Sequence, residues 1–303
     1  MEKNIKNIKQ QFKEQGVFYT PPELALTLKE YVPFKPKKVY DPTCGCGNLL
    51  KVFDDDVLKF GQELDETQVE IAKQEIPNFM GYAGDTLQDD KFKDEKFDCI
   101  VGNPPFSIKW EQNPDDIRFK QCPTLAPKGK ADYAFLLHII HHLSDDGVAV
   151  VLNFPGIAYR GNAEGKIRQW FIENNYIERV VNIPGDTFVD TKISTLLLVL
   201  RKNKTTTNVI FEDREDGRTV EVSQEDIAKE KYNLSVSTYL PKIIVKEPIN
   251  INEVNKGIVE DLLKQVEATL KFNRKMEKIF TEDNFYTNYM IDELKRMIKE
   301  YEE

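Results

Sequence analysis

The residues best suited to chemistry are Asn103-Pro104-Pro105-Phe106, which close an apolar run, Phe97 to Gly102, of the kind that forms a strand buried on both faces. Two prolines stiffen the turn. The Asn103 side-chain oxygen and the Pro104 carbonyl are then two acceptors on one rigid corner, with an aromatic ring beside them. Such a pair suits an exocyclic amino group, as on adenine, whose lone pair is delocalised into the ring. Each acceptor takes one N–H and draws the nitrogen toward tetrahedral geometry. Phe106 would stack on a base turned out of the duplex, and positioning would supply the rate with no metal and no covalent intermediate. The structural alternative is an Asn-Pro-Pro turn carrying a core phenylalanine.

A second group of residues suits a nucleoside-bearing cofactor. Asp41-Pro42-Thr43-Cys44-Gly45-Cys46-Gly47-Asn48 follows a first strand and opens a first helix, where Gly45 and Gly47 would let a ligand approach the backbone closely. About twenty residues on, Glu63 and Asp65 are both candidates for a ribose partner, with a helix cap as the other role for Asp65. Gly84-Asp85 ends the third strand, and Asp85 could accept from an adenine amino group.

Apolar runs alternating with helix-period segments between about residues 37 and 200 predict a doubly wound α/β fold. Strands are expected at Lys38 to Asp41, Lys59 to Asp65, Asn78 to Gly84, Phe97 to Asn103, Gly147 to Asn153, Ile177 to Ile183 and Ile193 to Arg201. Helices are expected at Asn48 to Val57, Thr67 to Gln74, Ala131 to Leu143 and Asn162 to Asn174. The loop Pro184 to Lys192 is too short for a crossover helix, so the last two strands should pair antiparallel at one edge of a mostly parallel, seven-stranded, Rossmann-like sheet. Beyond Lys202 come a hairpin, Asn208 to Val222, turning at Glu215-Asp216-Gly217, and a short helix, Gln224 to Lys231. The organisation expected is a main domain over 1–205, a small α/β extension over 206–245 and a C-terminal helical extension over 246–303. There, Ile251, Val254, Ile258, Leu262, Val266 and Leu270 form a narrow apolar stripe that must pack on the domain or on another chain.

The chain has 303 residues, 40% of them hydrophobic, and a net charge of −9, so a partner is expected to supply part of any grip on a polyanion. No run approaches eighteen apolar residues, and four cysteines without CxxC spacing read as reduced thiols of a cytoplasmic protein. His138, His141 and His142 fall at helical spacing, yet among apolar neighbours they read as core, so no metal site is expected. Cys122-Pro123 reverses the order used to methylate cytosine carbon. The loop Gly102 to Lys130 mixes Phe106, Trp110 and Phe119 with Lys109, Arg118, Lys120, Lys128 and Lys130, as a nucleic-acid contact or a solvated loop would.

The order FYTP, DPxxGxG, GxELD, GD, NPPF resembles the N6-adenine DNA methyltransferases of the gamma motif order, and specifically the modification subunits of type I restriction-modification systems. The resemblance implies a class I fold, S-adenosylmethionine as cofactor and methyl transfer to adenine N6 in double-stranded DNA. It implies that Phe18, Tyr19 and Thr20 line the methionine end of the cofactor, that Asp41, Gly45, Gly47, Asn48, Glu63 and Asp85 complete its site, and that Asn103, Pro104, Pro105 and Phe106 are catalytic. Ile183-Pro184, Phe188 and Thr195 look like support for the target-base pocket. The family usually carries a helical domain ahead of the cofactor motifs, whereas fifteen residues precede Gly16 here, and no segment has the length expected of a target recognition domain, so specificity is expected from a specificity subunit docked on the C-terminal helices, with a restriction subunit as a further partner. Other acceptors weighed are the glutamine amide of a protein and an amino group of ribosomal RNA; the other class is a catalytically silent assembly subunit.

Overall fold

The computed structural model describes residues 20–185, 194–241, 251–280 and 285–302. The chain forms two compact units, Met1–Lys242 and Ile243–Glu303.

The first unit is one mixed sheet covered on both faces. Its strands are β1 (Lys38–Asp41), β2 (Leu58–Glu63), β3 (Phe79–Ala83), β4 (Phe97–Gly102), β5 (Leu143–Asn153), β6 (Ile177–Ile183), β7 (Thr195–Leu200), β8 (Val209–Asp213) and β9 (Arg218–Val222). They lie in the order β3-β2-β1-β4-β5-β7-β6-β8-β9. Pairings from β3 through β5 are parallel, and β7 runs antiparallel between β5 and β6. Alternation along the central strands builds two cores. Tyr40 and Ile100 face one, while Val39, Cys99 and Val101 face the other.

The helices of this unit are α1 (Pro22–Glu30), α2 (Glu66–Glu75), α3 (Ile117–Lys120), α4 (Asp132–His142), α5 (Asn162–Glu173), α6 (Gln224–Lys229) and α7 (Val236–Tyr239). Both α2 and α5 fall within a residue or two of the spans read from sequence. α1 was not anticipated, although Pro22 at its first position is a start signal.

Three features differ from expectation. Among the described residues the sheet has nine strands, not seven, and the β6–β7 hairpin is internal. β7 inserts beside β5, leaving the outer edge of β6 unpaired, and β8 covers it in parallel with β9 beyond. Asn182 Nδ2 donates to Asp213 Oδ1 (3.0 Å) across that added seam. The hairpin over 208–222 is therefore part of the main sheet. Second, 48–57 is a chain of turns, because its bonds mix two spans, Leu50 N and Lys51 N both donating to the Gly47 carbonyl and Phe53 N to that of Leu50. The acidic run Asp54 to Asp56 gives such a segment no reason to continue as a helix. Third, β5 begins at Leu143, directly after α4, with a register shift opposite Phe97 and Cys99.

The second unit contains α8 (Ile251–Phe280) and α9 (Phe285–Glu302). Buried Glu277 joins them, accepting from Thr287 N (2.7 Å) and Thr287 Oγ1 (2.8 Å). Ile251, Val254, Ile258 and Leu262 of the apolar stripe are exposed. Among the described residues, no helix is long and apolar enough to cross a membrane.

Candidate active site

Strand order reverses between β1 and β4, so their carboxyl ends diverge into a crevice. A cleft of about 480 Å³ opens there, a size that suits a nucleoside-bearing ligand. Thr20, Asp41, Gly45, Asn48, Glu63 and Asp85 line it, and Asn103 and Pro105 form one edge. Pro104 is buried beside Gly102, and Phe106 is half-buried outside the cleft, 6.4 Å from the ring centroid of Phe154. Phe18, Tyr19 and Phe188 lie outside the described residues.

The two glycines do different things. Gly45 adopts φ +51° at the cleft wall, where its N–H donates to Glu63 Oε2 (2.9 Å). Gly47 (φ +81°) turns toward Ile76 instead, where a Cβ would lie 2.0 Å from Ile76 Cδ1, so its positive φ, with the packing under the turn, favours glycine. With no helix over 48–57, no helix N-terminus follows this turn, and the amides it presents are individual turn amides.

Glu63 and Asp65 both line the cleft but are held differently. Asp65 caps α2, its carboxylate accepting from Thr67 N (2.8 Å). Glu63 bridges the Gly45 turn and the amides of Leu64 (2.7 Å) and Asp65 (3.2 Å), which fixes its carboxylate at the end of β2. Thr20 ties the Asn103 corner to the turn at Asn48. Asn103 Nδ2 donates to Thr20 Oγ1 (3.2 Å), and Asn48 Nδ2 donates to the Thr20 carbonyl (3.1 Å). With its nitrogen engaged, the Asn103 amide keeps Oδ1 as an acceptor.

Four carboxylates line the cleft, those of Asp41, Glu63, Asp65 and Asp85, and among the described residues no lysine or arginine does. Asp41 is 1% exposed. Burial pushes its carboxyl up to about 7, aided by the nearby Glu63 charge and opposed by the Thr43 amide (3.0 Å). Between its ordinary value of 3.8 and about 7, the folded chain holds a proton that the unfolded chain has released. Stability due to this group therefore falls as pH rises through that window and is level above it. Asp41→Asn should be the more stable protein at about pH 8, by on the order of 2–4 kcal/mol, with the gain vanishing near about pH 4. Thermal unfolding of both proteins across this range measures the effect.

Beneath the cleft lies a buried polar network. Arg118, 4% exposed, donates to the carbonyls of Thr86 (2.7 Å) and Leu87 (2.8 Å), to Asp116 Oδ2 (2.6 Å) and to His138 Nδ1 (2.9 Å). Because Arg118 only donates, His138 carries its proton on Nε2 and donates to Tyr40 Oη (3.0 Å). Burial, reinforced by the neighbouring His142 and Arg118 charges, holds the His138 pKa well below its ordinary value. Asp90 joins His138 and His142 in a cluster with metal-like spacing, but the Arg118 guanidinium stands 3.7 Å from Asp90 Oδ2 and supplies the cation itself. His142 Nε2 meets Asp90 Oδ2 at 2.9 Å.

Part of this loop fits neither reading of it, as a nucleic-acid contact or as a solvated loop. Trp110, Arg118 and Phe119 are buried in the core, whereas Lys109, Lys120 and Lys128 are exposed. The aromatic and basic mixture anchors the loop after Phe106 from within, an arrangement its composition does not distinguish from a surface patch. Sequence reading also missed Thr86, Ile108 and Phe135 in the cleft wall; Phe135 comes from the wholly apolar part of α4 and carries no local signal.

The chain is similar to the type I restriction enzyme MpnII methylase subunit of Mycoplasma pneumoniae, at 29% identity over 86% of this chain and 59% of that protein. It is 30% identical to the HindI methylase subunit of Haemophilus influenzae over 63% of this chain and 47% of that one. The chain thus spans about half the length of the curated relatives it matches. Among solved structures, a type I restriction-modification methyltransferase subunit from Streptococcus thermophilus superposes with TM-score 0.66 at 32% identity, covering 72% of this chain and 58% of that one. The family model for N-6 DNA Methylase matches residues 2–239, which span the whole sheet and the cleft at its switch point, and the chain belongs to this family.

Proposed function

We propose that the chain is an S-adenosylmethionine-dependent methyltransferase acting on adenine N6 in double-stranded DNA, in the cytoplasm. The observation that carries this reading is a cleft walled by carboxylates and edged by the Asn103 amide, whose nitrogen is held by Thr20. An anionic dinucleotide would meet repulsion there, whereas a ligand with a sulfonium and an ammonium group would compensate Asp41 and its acidic neighbours. Glu63 would hold the ribose hydroxyls, Asp85 the adenine amino group, and the segment at Thr20 the methionine end. When bound, the cofactor supplies an electrophilic methyl group. Asn103 Oδ1 and the Pro104 carbonyl would accept the two N6 hydrogens of the target, freeing the nitrogen lone pair, and Phe106 would stack on the flipped base. After transfer, N6 gives up one proton to solvent.

The exposed stripe Ile251, Val254, Ile258 and Leu262 would dock on a specificity subunit, with a restriction subunit as a further member of the assembly. Both partners are inferred from likeness to type I methylase subunits. The test is methyl transfer by the full chain, alone and co-expressed with its chromosomal neighbours, read by single-molecule sequencing of cellular DNA and by labelled methyl transfer in vitro. N6-methyladenine at one sequence, dependent on a neighbour, is the expected result. Label entering protein or ribosomal RNA but not DNA would replace the acceptor, and site-specific transfer by the chain alone would remove the partner.

A further inference from the structure

Just past Phe106 the backbone enters an unfavourable conformation: Ser107 has φ +54°, left-handed and outside any glycine. Two side chains hold it there. Asp132, 2% exposed, accepts from Ser107 N (Oδ1, 3.2 Å), and Arg160 donates to Ser107 Oγ (3.2 Å). Arg160 is itself fixed from three sides. Its NH1 lies 3.4 Å from Glu164 Oε1 and 3.9 Å from Asp132 Oδ2, and its guanidinium sits 5.2 Å over the Phe154 ring. The packing makes room for this stack. A Cβ at Gly156 would lie 2.7 Å from Arg160 Nε and 2.8 Å from Phe154 Cε1, so Gly156 is bare where the guanidinium crosses the ring.

Phe154 follows β5 as Asn103 follows β4, and its ring packs on that of Phe106 at 6.4 Å with a 51° tilt. At that distance and tilt the two rings touch directly, so Phe154 braces the ring that would stack on the base. We propose that Arg160 is a positioning residue that sets the turn beyond the catalytic corner and holds Phe154 as the brace that fixes the Phe106 ring for stacking on the acceptor base. The inference rests on the base-methylation reading above. Its chemistry is simple: a cation over Phe154 orients the ring, and its hydrogen bond to Ser107 ties that ring to the segment bearing Phe106.

The test uses the full chain, co-expressed with its chromosomal neighbours, as wild type and as Arg160→Ala, Arg160→Lys and Phe154→Leu. Arg160→Ala should bind S-adenosylmethionine within about twofold of wild type while kcat falls about 10²-fold. Deuterium uptake over residues 103–110 should rise, and Arg160→Lys should recover part of both effects. Phe154→Leu should raise KM for DNA about tenfold and weaken the fluorescence of 2-aminopurine at the target position, leaving uptake over 103–110 unchanged. Arg160→Ala with wild-type kcat and uptake overturns the proposal. So does a parallel loss of cofactor affinity, which would mark a general structural role. If wild type itself transfers no methyl to DNA, the acceptor reading fails, and uptake over 103–110 still decides whether Arg160 holds the turn.

Discussion

Asn103→Ala should leave affinity for S-adenosylmethionine within about twofold of wild type while methyl transfer falls by about 10²–10⁴-fold. The asymmetry follows from what the side chain touches. Its nitrogen donates to Thr20 Oγ1, a contact that orients the amide, while the groups proposed to hold the cofactor, Glu63 above all, are anchored independently through Gly45 N and the Leu64 and Asp65 amides. Losing the Oδ1 acceptor removes the contact proposed to the reacting amine, so the loss should appear in kcat. Calorimetric binding and single-turnover transfer measure the two quantities. A comparable fall in cofactor affinity would assign Asn103 to ligand binding instead.

Arg118→Ala should lower the unfolding free energy by about 3–5 kcal/mol, because it strands charges that the guanidinium compensates. Asp90 and Asp116 have side chains only 8% and 16% exposed. Burial works to raise both carboxyls, yet hydrogen bonds and opposite charge, from His142 for Asp90 and from Arg118 for Asp116, hold them below the ordinary range. Removing Arg118 also frees the carbonyls of Thr86 and Leu87 beneath the cleft wall. Weaker cofactor binding should therefore accompany the loss of stability. Urea unfolding read alongside cofactor titration checks both. A variant as stable as wild type would mean that water replaces the guanidinium at little cost.

The same residue shows where sequence reading runs out. Arg118 lies in a loop whose aromatic and basic side chains suggest a nucleic-acid surface, and only the three-dimensional arrangement turns Trp110, Arg118 and Phe119 inward. Asp90 reaches His138 and His142 from a distant stretch of chain, and Phe154 reaches Phe106 across two adjacent strands, neither at a spacing a linear pattern reveals. In contrast, β1 and β6 were legible to the residue, since their apolar runs are bounded by charged or turn-forming neighbours. The hairpin from β8 to β9 was legible from Asp216-Gly217, but its attachment to β6 was not, because pairing depends on which edge is left free.

The sequence by itself determined the α/β class, most strands and helices, and the motif order that carries the chain's family resemblance, because strand period, turn residues and short motifs are local properties. Tertiary structure decided the rest. It made Asp65 a helix cap and tied Glu63 to the Gly45 turn, replaced an expected helix after Gly47 by turns, placed β7 inside the sheet, and joined Arg160, Ser107 and Phe154 beside the Asn103–Phe106 corner. Each of these outcomes is a competition among distant groups for one hydrogen-bond partner, one strand edge or one buried volume, and such a competition is resolved only when the chain is packed.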